Sequence, residues 1–384
     1  MKELTWADLG QQFDGPHATP KRKTDGPYFL NISSLENGRL DLSKSDRLSE
    51  DEFVTWTRRV IPQSGDLLYS YETRLGEAAL MPDGIKACLG RRMALLRPNP
   101  EVVDPKFLLY FYLGPQFQRT IQKHTITGAT VPRLLLSEMP SWTVVIPPLE
   151  EQRGIAEVLG ALDDKIAANT TLITRCEALA HAKYTSAIRG GLARPLSELT
   201  RFVNGKAFTK DASGSGRVVI RIAELNSGLG ASTVYNDIDV ADDHVARPGD
   251  LLFAWSGSLT VHRWFRPEGI VNQHIFKVIP DQGFPMWLVH QALLRKLAEF
   301  RGIAADKATT MGHIQRRHLD EDVFIPAPDV ITSLDQAMRG LWDRALAAEV
   351  ENEQLSSTRD ELLPLLMSGK VTVKDAEAVV GGVL

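Results

Sequence analysis

At 384 residues the chain is longer than one hydrophobic core ordinarily serves, so two or more domains are expected. Its 43% hydrophobic and 24% charged residues are those of an ordinary folded protein, and two cysteines, Cys88 and Cys176, exclude a disulfide framework or a cysteine-based metal site. The net charge of −4 argues against a uniformly basic nucleic-acid binder, but the acid excess sits in residues 329–384, so the remainder is near neutral and can still present a basic face.

In chain order, an internal repeat governs the sequence. Leu9-Gly10-Gln11-Gln12-Phe13-Asp14-Gly15 answers Leu199-Thr200-Arg201-Phe202-Val203-Asn204-Gly205 at an offset of 190, and the apolar run Tyr28–Leu35 answers Val218–Leu225 at the same offset. Gly65-Asp66-Leu67-Leu68-Tyr69-Ser70-Tyr71 then matches Gly249-Asp250-Leu251-Leu252-Phe253-Ala254-Trp255 at 184, and Thr130–Leu134 corresponds to Thr310–Ile314. Each half reads as mixed α/β. Strand-like runs are Asp66–Tyr71, Arg92–Leu96 and Trp142–Ile146, then Gly249–Trp255, Val271–Ile279 and Val323–Ile325. One helix is predicted in each half, over Pro105–Lys123 and Pro285–Phe300.

Each globule is followed by a long amphipathic stretch, and the two stretches are related by a constant offset of 179. Mostly apolar seam positions recur with 4,3 spacing at Ile155, Leu159, Leu162, Ile166, Asn169, Ile173, Cys176, Ala180, Lys183 and Ala187, interrupted by Asn169 and Lys183. In the second copy they are Leu334, Met338, Leu341, Ala345, Ala348, Asn352, Leu355, Arg359, Leu362 and Leu366. Such a seam predicts two coiled-coil helices of about 35–40 residues, each entered through prolines and left through glycine. Full antiparallel overlap would place Asn169 opposite Asn352, so that two buried amides satisfy each other; parallel overlap would leave both among apolar side chains. The antiparallel arrangement is therefore expected. The boundaries are 1–146 for the first globule, 147–190 for the first helix, 191–325 for the second globule, 326–370 for the second helix and 371–384 for a tail.

Catalytic signatures are missing: no Walker A loop, Gly-x-Gly-x-x-Gly, His-Glu-x-x-His, Cys-x-x-Cys, Gly-x-Ser-x-Gly or amino-methyltransferase tetrapeptide occurs. Pro82-Asp83 with Asp163-Asp164-Lys165 only superficially resembles a nuclease motif, since the latter trio falls on the solvated face of a long helix. His262, His274, His290, His313 and His318 do not cluster at ligand spacing and read as surface or turn residues. No stretch of about 18 apolar residues is present, and the N-terminal residues lack the apolar region of a signal peptide, so a cytoplasmic location is expected.

What remains is a recurring enrichment of cationic, hydroxyl and aromatic residues in predicted loops. In the first half the candidates are Lys21, Arg22, Lys23, Tyr71, Arg74, Thr127, Thr130 and Arg133. In the second they are Trp255, Ser256, Ser258, Arg263, Lys307, Thr309, Thr310, His313 and Arg316. Arginine, lysine and hydroxyls contact phosphates, and arginine or lysine reads guanine edges in the major groove.

The opening Ile146-Pro147-Pro148-Leu149-Glu150-Glu151-Gln152, the stretch Ile155 to Ile166, Leu363-Pro364-Leu365-Leu366-Met367-Ser368-Gly369-Lys370 and the two Gly-Asp-Leu-Leu elements carry a resemblance. They resemble the specificity subunits of type I restriction-modification systems over nearly the whole chain. The second copy departs from the pattern at Asp329–Ser333. The resemblance implies a non-catalytic subunit with two target-recognition domains, each reading one half of a split site in double-stranded DNA. It implies an antiparallel helical spacer docking two modification (methyltransferase) subunits, joined by restriction (translocase–nuclease) subunits. The chain would hold no cofactor itself, with S-adenosylmethionine, ATP and magnesium on the partners. Two other classes remain open: a degenerate enzyme, and a protein–protein scaffold whose globules bind peptides.

Overall fold

A computed structural model describes residues 1–16, 18–128, 131–306 and 312–384. The chain forms two compact units, Met1–Lys165 with Leu355–Leu384, and Ile166–Gln354.

In the first unit a four-stranded antiparallel sheet runs in the order Gly10–Asp14, Met93–Pro98, Leu67–Ser70, Ala78–Leu80. Leu67 to Ser70 and Met93 to Leu96 are wholly buried, which is why these strands read as continuous apolar runs rather than alternating ones. A second sheet pairs Lys23–Leu30 in parallel with Ala87–Leu89 and antiparallel with Asp46–Arg47. Lys2–Thr5, which the sequence reading left unassigned, closes on Thr143–Ile146.

The second unit repeats this scheme. Its main sheet runs Thr200–Asn204, Ile275–Pro280, Leu251–Ala254, Thr260–Arg263. The parallel pair is Arg217–Ile220 with Gly269–Val271, and Leu192–Pro195 closes on Asp322–Ile325. The Gly-Asp elements serve the same turn in both. Gly65 and Gly249 take φ of 86° and 94°, and Asp66 and Asp250 each accept a backbone N–H at 2.8 Å, from Gln63 and Arg247.

Several elements differ from the sequence reading. The first predicted helix is two, Pro105–Leu113 and Pro115–His124, because Pro115 lacks an N–H and forces Gly114 into an extended conformation. The second, Met286–Asp306, runs on past Phe300. The run Val271–Ile279 is broken by His274 at φ 73°, and Val218–Leu225 ends as a short helix, Ile222–Ser227. The tail holds a helix, Val373–Gly381, with Ala376 and Val380 buried.

The long helices are Leu149–Ala187 and Pro328–Met367. Every one of the twenty seam positions is buried or half-buried. In the first unit Ile155, Leu159, Leu162, Leu355, Leu362 and Leu366 are at most 6% exposed, and each contributes roughly 1.5–3 kcal/mol by leaving water. There Arg359 pairs with Asp163 at 2.8 Å and Val373 packs on Gly154, so the two helix segments run antiparallel. In the second unit Cys176 and Ala180 share a cavity wall with Met338 and Leu341, while Thr170 meets Asn352, and the direction is again antiparallel. Ile166 and Leu341 are half-buried there. The asparagines come level but do not bond each other. Asn169 donates to Glu351 at 2.7 Å, and Asn352 donates to Thr170 at 3.4 Å.

The Pro-Pro-Leu-Glu-Glu-Gln opening has a structural purpose. Gln152 is 1% exposed and its amide accepts from the Asp104 N–H while donating to the Val102 and Pro147 carbonyls. The helix start is thereby clamped to the turn preceding Pro105–Leu113. The helix ends need no side chain: Gly190 and Gly369 take φ of 79° and 69°, and Lys370 N–H returns to the Leu365 carbonyl.

Candidate nucleic-acid interface

Each unit builds a rim of its own, from equivalent backbone bonds. In the first, Leu134 N–H donates to the Tyr71 carbonyl at 2.8 Å, Thr73 N–H to Pro132 at 3.0 Å, and Tyr71 N–H to Arg92 at 3.2 Å. In the second, Ile314 N–H donates to Trp255 at 3.2 Å, Gly257 N–H to Gly312 at 2.9 Å, and Trp255 N–H to His274 at 3.1 Å. The end of one central strand is thus stitched to the turn that enters its neighbour and to residues 132–134 in the first unit or 312–314 in the second.

Non-glycine residues with left-handed backbone gather here. Among the described residues five non-glycine residues have positive φ, and three of them are Thr73 (74°), Arg92 (72°) and His274 (73°); Gly257 at 67° completes the four equivalent positions. A β-branched threonine or a long arginine in this region is strained by roughly 1–2 kcal/mol. The turn at Arg92 and His274 is strained in both units, while the other is strained only at Thr73, since Gly257 takes positive φ freely; strain kept at one equivalent turn in both units points to a site rather than to packing.

Side chains differ between the rims. Around the first stand Tyr71, Glu72, Thr73, Arg74, Arg92 and exposed Arg133, with Arg92 within 2.7 Å of Glu72 and Arg74 within 3.4 Å of Glu77. Around the second, Trp255 stacks on Phe276 (5.7 Å, 30°) and donates its indole N–H to Asn204 at 2.8 Å. His274 and His313 lie 5.2 and 6.5 Å from that indole. Ser256 is buried beneath, and Ser258 is exposed.

The sequence candidates therefore divide. Tyr71, Arg74, Arg133, Trp255, Ser256, Ser258 and His313 come to the rims, and Thr127 is exposed on the strip leading to Arg133. Thr130, Lys307, Thr309 and Thr310 lie outside the described residues. Lys21, Arg22 and Lys23 are exposed but belong to the other sheet, where Arg22 pairs with Asp46 at 3.1 Å. Arg316 is exposed beside a cleft with Arg201, Asp281 and Asp320.

Arg263 is a correction. Its side chain is 3% exposed, bonded to Glu349 and Glu177, and stacked over Trp342 at 4.4 Å, so it is closed to a ligand. It ends the strand Thr260–Arg263, packed toward the helix pair, rather than sitting in a loop. His290 and His318 are likewise buried, not surface residues, and burial beside Arg263 pulls the His290 imidazole down to about 3. The sequence reading missed Arg92 and the reading role open to His274, and although Glu72 and Thr73 lie between the candidates Tyr71 and Arg74 it gave them no role of their own. Nothing in residue spacing announces a left-handed turn.

Among the described residues no His, Cys, Asp and Glu grouping can hold a metal ion, and no helix is long and apolar enough to cross a membrane.

The family model described as type I restriction modification DNA specificity domain matches residues 19–178. A putative type I restriction enzyme MjaX specificity subunit from Methanocaldococcus jannaschii is 33% identical over 176 residues, 43% of this chain but only 39% of that relative's length. The type I restriction enzyme HindI specificity subunit from Haemophilus influenzae is 27% identical over 400 aligned positions, covering 80% of this chain and 87% of the relative. The crystal structure of the type I restriction-modification system S subunit from M. genitalium shares the fold, with a TM-score of 0.61 at 15% identity over 95% of this chain and 96% of that one. The chain is thus similar to specificity subunits of type I restriction-modification systems, in sequence to the Haemophilus influenzae relative over most of its length and in a specificity-domain match over residues 19–178.

Proposed function

We propose that this chain is the sequence-reading subunit of a type I restriction-modification complex, each unit reading one half of a bipartite site in double-stranded DNA. The observation that carries this is the repeated rim: one backbone scaffold, held in the same left-handed turns, bearing different side chains in each unit. A common frame with unlike donors is what recognition of two unlike half-sites requires.

The long helices are proposed to set the unread interval between half-sites and to dock two methyltransferase subunits, with restriction subunits joining the assembly in the cytoplasm. The chain itself is proposed to be non-catalytic. S-adenosylmethionine, ATP and magnesium would then act on the partner subunits.

The test is equilibrium binding of the native complex to a pool of randomised duplexes at several salt concentrations. Affinity that falls with salt and favours a bipartite sequence supports the reading. Binding without sequence preference, or no binding at all, would favour the peptide-binding scaffold instead.

A further inference from the structure

We propose, resting on the DNA-reading role above, that Arg92 reads a guanine in the half-site of the first unit, with Glu72 and Thr73 as its positioning residues, and that His274 holds the equivalent reading position in the second. Both residues occupy the left-handed turn that enters the strand next to the rim, at φ 72° and 73°. Glycine takes this conformation without strain, and the chain uses glycine at fourteen described positions of positive φ. At these two equivalent turns it keeps large side chains bearing N–H groups. Packing does not explain that choice, since Arg92 retains 30% of its side-chain exposure.

The surroundings of Arg92 orient it from one side. Its Nε lies 2.7 Å from a Glu72 carboxylate oxygen, an ion contact in which the N–H is not aligned for a hydrogen bond. Its Nη1 donates to the Thr73 hydroxyl at 3.3 Å. Donors on the outer edge of the fork remain for a ligand, and a planar fork fixed from behind suits the O6 and N7 acceptors of guanine. A carboxylate this close also offsets the positive charge, which weakens nonspecific attraction to phosphate while leaving directional donors in place. That favours a base reader over a backbone anchor. In the second unit His274 lies beside Trp255, and its Nδ1 is buried without a hydrogen-bond partner. The same position thus presents a different donor or acceptor set, as a different half-site demands.

The experiment uses the native complex carrying Arg92→Gly, Arg92→Lys or His274→Gly, each selected against a randomised pool of DNA duplexes and sequenced. Glycine relieves the strained turn, so melting temperatures should not fall; if Arg92→Gly fails to fold, Arg92→Lys carries the test. Both Arg92 variants should lose preference for one G·C position in one half-site by roughly 10- to 100-fold, the lysine included because it lacks the fork. The other half-site should stay unchanged, and His274→Gly should do the converse. Unchanged preference in the Arg92 variants would overturn the proposal. So would a uniform loss over all duplexes with a flatter salt slope, which marks a phosphate anchor. A wild-type complex without sequence preference would overturn the DNA reading itself, an outcome distinct from both.

Discussion

The Arg263 guanidinium meets both carboxylate oxygens of Glu349, at 2.8 and 2.9 Å, with 3% of its side chain exposed. Glu177 takes a further bond at 2.9 Å and Trp342 lies against the guanidinium face, so one arginine ties a sheet strand to both helix segments of its unit. Arg263→Ala should destabilise this unit by about 3 kcal/mol, because it leaves the largely buried Glu349 carboxylate without its partner, while the more exposed Glu177 can turn to water. Arg263→Ala with Glu349→Leu should recover part of that loss. Denaturant unfolding of the single and double variants checks both expectations.

His290 lines the same small cavity as Arg263 and Glu177, buried and edge-on to Trp342 at 5.0 Å. Its pKa is lowered from 6.5 to about 3, so it stays neutral in the fold while the unfolded chain takes up a proton. The unfolded state then binds more protons between those values, and stability falls as the pH drops below about 6.5, by up to ~1.4 kcal/mol per pH unit from this residue. His290→Phe should flatten the acid limb of a stability–pH curve relative to the parent protein. An identical slope in both would remove the residue from that role.

Gln152→Leu should cost about 2–4 kcal/mol, since it leaves the Asp104 N–H and the Val102 and Pro147 carbonyls without the amide that joins them. The repeat makes the comparison informative. The residue 179 positions on is Ile331, which packs against the core of its own unit, so the second helix start is held by apolar contact instead. Thermal or chemical unfolding of Gln152→Leu measures the difference.

The seam and the repeat were legible because burial imposes a period that any reader of apolar spacing can count. Ile155, Leu159, Leu162, Leu355 and Leu362 are buried as that period requires. Asn169 was placed correctly along the seam, yet its bond goes to Glu351, because hydrogen bonding follows side-chain reach rather than seam position. Arg263 misled for a related reason: five residues rich in charge and aromatic rings, His262 to Arg266, resemble an exposed loop until the facing Glu349 and Glu177 are known. Arg92 gave no signal, and His274, read as a surface or turn residue, does occupy a turn, but the left-handed backbone that both residues share is not written in their residue types.

If the long helices measure the interval between half-sites, a heptad inserted after Ala168 together with another after Ala347 keeps the seam in phase. Seven residues add roughly 10 Å of helix, or about three base pairs at ~3.4 Å each. Modified sites recovered from the assembled complex should keep both half-site sequences and gain a spacer longer by about that amount. An active variant with the original spacer would deny the helices this role.

The central claim, that each unit reads its own half-site, is tested most directly by replacing residues 1–146 with the corresponding segment of the Haemophilus influenzae relative and sequencing the DNA modified by the assembled complex. The account predicts that one half-site changes while the other and the spacer persist. Alteration of both half-sites, or of neither, would contradict it.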